Sequence, residues 1–289
     1  MIEKKTFKII AGVILTILSL MCVLPFVLII SGSLTGETAL LVEGYKFIPT
    51  ELSWAAYEYL FMDAMVIVRA YGMTFLVTIV GTAIGLTCMT GLSYAISRKN
   101  LPGRNGIAFF VFFAMLFNGG IVPTYIMYVR YFGIKDTIWA LIVPNYLIFG
   151  FYIIMMRTYF TSNLPEEVLE SARIDGAGEF RILLKMVVPM SVPILATVGM
   201  MQAITYWNDW QNGLYYITDK KFYTIQLILN RMLQNIEAIR TLVVNVSIEL
   251  PSVSVRMAVA VLGALPILVI FPFFQKYYVK GITIGAVKG

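Results

Sequence analysis

The chain has 289 residues, of which 59% are hydrophobic and only 13% charged, about half of the roughly 25% charge of a water-facing domain. With a mean hydropathy of +0.82, it reads as a membrane protein. The absence of histidine excludes Ser-His-Asp and Cys-His catalysis and histidine metal sites.

Cutting the chain at its charged residues leaves six long apolar runs, 9–31, 70–97, 105–129, 137–156, 186–208 and 257–275. Each approaches or exceeds the roughly 20 residues that a helix needs to cross hydrocarbon. The runs are apolar on every side, without the period-two alternation of a β-barrel, so the fold expected is all-α with six transmembrane helices. The first run is longer than the apolar region of a signal peptide and is kept as an anchor. Cys22 and Cys88 fall inside runs and read as small hydrophobes. The runs contain no Asp, Glu or His, which leaves an intramembrane enzyme without its acids, bases or ligands. Gly81-x-x-x-Gly85 in the second run reads as a close-packing motif. Asn118-Gly119-Gly120 in the third can kink its helix beside a cavity or simply allow close packing. Two longer segments, 32–69 and 209–256, connect runs on one side, and no repeat or low-complexity tract divides the chain, which reads as a single domain over 1–289.

An even number of spans puts both termini on one side. That side carries a balance of +7, from cations such as Lys4, Lys8, Arg98, Lys99, Arg173 and Lys185, while the other carries −1. Basic residues near span ends mark the cytoplasmic face, so both termini are expected in the cytoplasm and the basic character is an orientation signal, with no nucleic-acid partner implied.

Between the fourth and fifth runs lies the cytoplasmic segment with the most local structure, 158–185. Ser162 or Asn163 can cap a helix there, Pro165 suits its first turn, and Glu166 and Glu167 face the positive end of its dipole. Val168, Leu169 and Ala172 share one face. Asp175-Gly176 interrupts the helix, and a second begins near Gly178, giving a helix-turn-helix.

Glu170-Ser171-Ala172, then Gly176, then Met186-x-Val188-Pro189 resembles the EAA pattern of ABC-importer permease subunits, with Ser at the second position and Met and Val at the two apolar ones. The likeness extends through Gly133-Ile-Lys-Asp-Thr-Ile-Trp-Ala-Leu-Ile-Val-Pro144, Ala172-Arg-Ile-Asp-Gly-Ala177, Trp207-Asn-Asp-Trp210 and the tail Tyr278-Val-Lys-Gly-Ile-Thr-Ile-Gly-Ala-Val-Lys-Gly289. Together they resemble the carbohydrate-uptake branch, in particular the shorter six-span permease of maltose-type systems, and residues 215–233 suggest the subgroup associated with complex oligosaccharides.

The resemblance implies that Glu170, Ser171, Ala172, Asp175, Gly176 and Pro189 couple the chain to a cytoplasmic ATPase, with Glu170 offering an acceptor, Gly176 forming the turn and Ala172 small enough to seat in a groove. It implies three partners besides membrane lipid: an ATPase dimer, a second homologous permease and an extracytoplasmic sugar-binding protein, the last met by the external loop 209–256. No G-x-x-x-x-G-K-[ST] loop occurs, so no cofactor is expected on this chain, ATP and Mg being used by the ATPase. The tail 280–289 is expected to reach between the ATPase subunits. A substrate pathway is suggested at Asn118, Tyr206, Trp207, Asn208, Asp209 and Trp210, a mixture able to stack on pyranose faces and bond hydroxyls; the same cluster at 206–210 also reads as an aromatic belt or a structural contact. The function expected is import of a sugar, an oligosaccharide, by alternating access, the alternatives being another solute class, peptide or amino acid, or a free-standing channel.

Overall fold

The computed structural model describes residues 2–144, 146–242 and 252–286, and they form helices with no strand beyond an isolated bridge between Thr35 and Leu52. The chain divides into two compact units, Met1–Val68 with Leu229–Pro266, and Arg69–Ile228 with Ile267–Gly289.

In the first unit, α1 (Ile2–Ser33) presents its apolar surface outward along Phe7–Ser33. The chain then turns back on itself through α2 (Glu37–Glu43) and α3 (Ala55–Leu60). Ser31 Oγ donates to the Lys46 carbonyl at 2.6 Å, and the Ser33 hydroxyl pairs with Tyr57 Oη at 2.9 Å. The Glu37 carboxylate accepts the backbone N–H groups of Val253 and Ser254, both at 2.9 Å, and the Ser254 hydroxyl at 2.8 Å. A carboxylate from elsewhere in the chain thereby satisfies the free donors that open the last long helix.

The boundaries of the units fall within long helices. The helix α4 (Ala64–Ser97) carries the second apolar run. The third run does not form one helix: α5 (Arg104–Leu116) and α6 (Ile121–Ile126) are separated by residues 117–120, and the segments on either side are bent by 114°. The bend follows from Asn118-Gly119-Gly120. Gly120 has φ +84° and ψ 171°, a conformation open only to glycine, and its N–H donates to Asn118 Oδ1 at 2.9 Å. The fourth run is also broken. Among the described residues only the short α7 (Trp139–Ile142) and α8 (Gly150–Asn163) are helical, with irregular backbone over 143–144 and 146–149. The expectation of a single helix over 137–156 is corrected here: Pro144 can offer no N–H to continue α7.

Two helices follow, α9 (Glu166–Ile174) and α10 (Glu179–Ile182), and then a π turn over Leu183–Val187 leads to α11 (Val188–Met190). The expected cap is revised. Pro165 occupies the N-cap of α9 without a side-chain bond, while Asn163 belongs to α8, its Nδ2 donating to the Tyr159 carbonyl at 3.1 Å. An 84° bend at Ser191 separates this segment from α12 (Val192–Trp207). Pro193 supplies the cause, since it has no N–H for the carbonyl of Pro189 four residues earlier. The fifth run therefore splits at Ser191, and Pro189 lies on the far side of the bend from α12.

The helices α13 (Gln211–Tyr216), α14 (Ile225–Leu242) and α15 (Ser252–Ala286) complete the fold. Leu227 packs within 3.0 Å of a Cβ built on Gly213, and the Ile225 N–H donates to Thr74 Oγ1 at 2.8 Å, so the beginning of the apolar stretch after the fifth run packs on the chain itself. Residues 243–251 of the external segment and 287–289 of the tail lie outside the described residues. Among the described residues, three helices are long and apolar enough to cross a membrane, and each bent pair adds one more if it crosses as a unit.

Asp136 fastens the turn before α7 to the chain after α13. It has φ 56°, accepts the Thr218 hydroxyl at 2.6 Å and the Asp219 N–H at 2.9 Å, and donates its own N–H to the Tyr216 carbonyl at 3.1 Å. The Thr218 hydroxyl, with the N–H groups of Asp219 and Thr218, holds the Asp136 carboxyl down at about 2, below its ordinary 3.8. A lowered value means that the clasp contributes fully above pH 3.8 and is lost as the pH falls through about 2. Asp136→Asn is expected to lower the thermal midpoint at pH 7 and to flatten its dependence across that acidic window, as read by thermal unfolding of the purified protein at stepped pH. Identical acid limbs in the two proteins would refute the clasp.

Candidate functional site

The segment α9–α11 forms one candidate site. Its turn is built at the end of α9, where the Gly176 N–H donates to the Arg173 carbonyl at 3.0 Å and the Ala177 N–H to the Ala172 carbonyl at 2.9 Å. This pair of bonds is a Schellman closure, which places Gly176 in the left-handed region at φ +81°. A Cβ built on Gly176 meets nothing within 4 Å. Backbone conformation therefore favours glycine there, with asparagine the next best fit, while the space over it is open.

The inner face of α9 is Leu169 and Ala172, buried in one core with Ile153, Met156 and Phe160 of α8, Met89, Tyr94 and Ile96 of α4, and Ile182 and Val187. Ala172 thus faces the chain's own interior, where its small size serves that packing. Val168, expected on the same face, is exposed. Outward lie Glu170, Ser171 and Asp175, and beside them Ile174 at 86% and Phe180 at 73% exposure. These two apolar side chains, one on either side of Gly176, were not singled out by pattern. The signal was present in an isoleucine placed between Arg173 and Asp175 on the polar side of an amphipathic helix.

Charges brace the turn from behind. Arg173 Nε donates to Glu179 Oε1 at 2.6 Å across it, and the Tyr94 hydroxyl from α4 donates to the other Glu179 oxygen. The Arg173 bond is the chief reason that the Glu179 carboxyl stays below its ordinary range. Lys99 reaches Glu166 Oε2 at 2.7 Å and lowers that carboxyl too. The segment is thus tied to α8 by packing, and to α4 and the residues after it by packing, the Tyr94 hydrogen bond and the Lys99 ion pair.

The residues proposed for a substrate pathway separate into two groups. Tyr206, Trp207 and Asp209 are buried, and Tyr206 serves the broken fourth run together with Gln202 and Asn212. The Tyr206 hydroxyl donates to the Ile142 carbonyl at 2.8 Å, Asn212 Nδ2 to the Pro144 carbonyl at 3.0 Å and Gln202 Nε2 to the Tyr146 carbonyl at 3.2 Å. Three carbonyls freed by the break are thereby satisfied from α12 and α13, as buried backbone polar groups require. Asp209 accepts the Asn212 N–H at 3.1 Å, and burial pushes its carboxyl up to about 6. Trp207 packs edge-on against Phe75, with ring centroids 5.0 Å apart. Asn208 is exposed and Trp210 half-buried; neither lines the cavity described next. The glycines of α4 make room for this arrangement: a Cβ on Gly81 would lie 2.6 Å from the Tyr206 ring, and one on Gly85 would lie 2.7 Å from the Leu147 carbonyl.

Asn118 lies elsewhere, on the wall of an open cavity of about 910 Å³. The breaks at 117–120 and 143–149 both reach its lining, as does α13, which follows the interruption at 208–210. Among the described residues, no group of three or more Cys, Asp or Glu could hold a metal ion.

Residues 88–284 match the family described as the binding-protein-dependent transport system inner membrane component. The chain is 34% identical over 277 residues to the polygalacturonan/rhamnogalacturonan transport system permease protein YtcP of Bacillus subtilis (strain 168), covering 95% of this chain and 96% of that protein. It is 35% identical to Protein LplC of the same organism over 92% of this chain and 90% of that one. A crystal structure of a bacterial ABC transporter involved in the import of the acidic polysaccharide alginate superimposes with a TM-score of 0.78 at 27% identity, covering 96% of this chain and 98% of that one. With its apolar helices, its glycine-closed turn and these likenesses along nearly its whole length, the chain belongs to the binding-protein-dependent transport system inner membrane components, a family of multi-pass membrane permeases and not of enzymes.

Proposed function

We propose that this chain is a permease subunit of an ATP-driven bacterial importer that moves a sugar, an oligosaccharide, into the cytoplasm by alternating access. The observation that carries the proposal is the turn at Gly176: open on its outer side, flanked by exposed Ile174 and Phe180, and locked from within to α4 and α8. Such a surface is suited to a partner that pushes. The partner is a cytoplasmic ATPase dimer, which binds the ATP and Mg that this chain has no loop to hold. A second, homologous permease completes the membrane portion, and an extracytoplasmic binding protein delivers the sugar to the outer loops. The relatives named for polygalacturonan, rhamnogalacturonan and alginate support a saccharide cargo.

In this reading the chain crosses the membrane six times with both termini in the cytoplasm, the fourth crossing made by α7, the break and α8. ATP on the ATPase and loaded binding protein outside each favour the outward-open state, as any ligand shifts a two-state equilibrium by its differential affinity. Lys99 and Lys221 report the orientation, since both side chains are 66% exposed. In intact cells, cysteine at Lys221 is expected to react with a membrane-impermeant maleimide and cysteine at Lys99 only after permeabilisation. The same cells are expected to take up sugar only with all partners and ATP. Labelling of both positions from outside, or uptake that ignores ATP, would overturn the reading.

A further inference from the structure

The 910 Å³ cavity has a composition that selects among saccharides. Phe110, Phe149 and Tyr215 give it aromatic walls, and Asn118 and Gln211 place amides in it. Asn118 spends its oxygen on the Gly120 N–H and keeps its NH₂ unengaged by any described residue. Such a wall suits a pyranose, which has C–H faces for aromatic rings and hydroxyls for amides. Its position suits a translocated solute, because interrupted helices converge on it and irregular backbone within a membrane is tolerated where it lines a cavity.

No Asp, Glu, Lys or Arg lines the cavity. One acid stands close behind the wall: Asp209 accepts the N–H of the lining residue Asn212 at 3.1 Å. A carboxylate held against these aromatic walls finds no cation among the lining residues to offset the water it sheds on contact. We propose that this cavity is a subsite for an uncharged sugar ring and that it disfavours uronates, so that any acidic residue of the cargo is neutralised by groups outside this chain. The inference rests on the transporter reading above and adds the charge class of the ring that this subunit holds.

The test uses the full chain with its partner permease and ATPase in lipid nanodiscs, without the binding protein, and saturation-transfer NMR. The probes are α-1,4-linked galactotriose and trigalacturonate, matched in size and linkage. Galactotriose is expected to receive at least about fivefold more saturation than trigalacturonate, and Tyr215→Ala to cut the galactotriose signal by about fivefold, a difference of the size expected for one aromatic contact. Gln211→Arg, on an exposed side chain at the start of α13, is expected to raise the trigalacturonate signal. Equal saturation from the two sugars, or a galactotriose signal unchanged in Tyr215→Ala, would overturn the subsite. Sugar import by the complete assembly is scored in parallel. Import with an unchanged galactotriose signal in Tyr215→Ala removes the subsite alone, whereas absence of any sugar import removes the transporter reading as well.

Discussion

Gly85→Ala is expected to destabilise the protein by about 2–5 kcal/mol, combining overpacking with the loss of a buried hydrogen bond. The added methyl would lie 2.7 Å from the Leu147 carbonyl and would overlap the Gln202 amide. A backbone carbonyl cannot swing aside as a side-chain tip can. If Gln202 moves instead, the Tyr146 carbonyl loses the donor it now receives at 3.2 Å. Gly81→Ala should behave similarly, since the Tyr206 ring it meets is buried and held by its bond to Ile142. The controls are on the same helix: Gly72 and Gly91 have nothing within 4 Å of a built Cβ, and alanine there is expected to be neutral or to stabilise by up to about 1 kcal/mol through helix propensity. Thermal unfolding in detergent, with yield of folded protein as a second readout, separates the two pairs. Equal losses at Gly85 and Gly91 would show that the close approach of α12 to α4 is not what glycine provides.

Much of this arrangement was legible in the residue pattern, and what was not has a physical reason. Apolar length located the long helices, because length is the only quantity hydrocarbon thickness constrains. It could not show that the runs 105–129 and 137–156 are interrupted, since glycine, asparagine and proline are uncharged and leave a run unbroken by charge. Gly81-x-x-x-Gly85 was readable as a packing motif, but its occupants, Tyr206 and Gln202, lie more than 100 residues away in sequence. Tyr206 and Asp209 looked like sugar contacts because aromatic and polar groups at a span end suit that task. The same groups also suit carbonyls freed by a helix break, and the break was not visible. In the turn, Gly176 was identified through spacing, and Leu169 and Ala172 through their shared apolar face, whereas Val168, placed on that face by the same periodicity, lies at its exposed edge.

Gly176 carries the second large effect. Its φ of +81° costs an ordinary residue about 1–2 kcal/mol and asparagine less. Space imposes no further penalty, because a built Cβ meets nothing within 4 Å. Gly176→Asn should therefore fold with little change, and Gly176→Trp should fold with a modest loss, its side chain projecting into the open side of the turn. If the ATPase sits there, the bulky ring holds it off Ile174 and Phe180. Uptake in Gly176→Trp is then expected to fall by at least about 100-fold, the equivalent of about 2.7 kcal/mol of lost coupling. The thermal midpoint, in contrast, should shift by no more than the backbone cost.

The most direct measurement is the number of ATP molecules hydrolysed per sugar imported by proteoliposomes holding the complete assembly, compared between the unmodified chain, Gly176→Asn and Gly176→Trp. The account predicts a near-constant ratio for the first two, and for Gly176→Trp either hydrolysis without import or loss of the ATPase from the assembly. Normal ATP-coupled import in folded Gly176→Trp protein would contradict it.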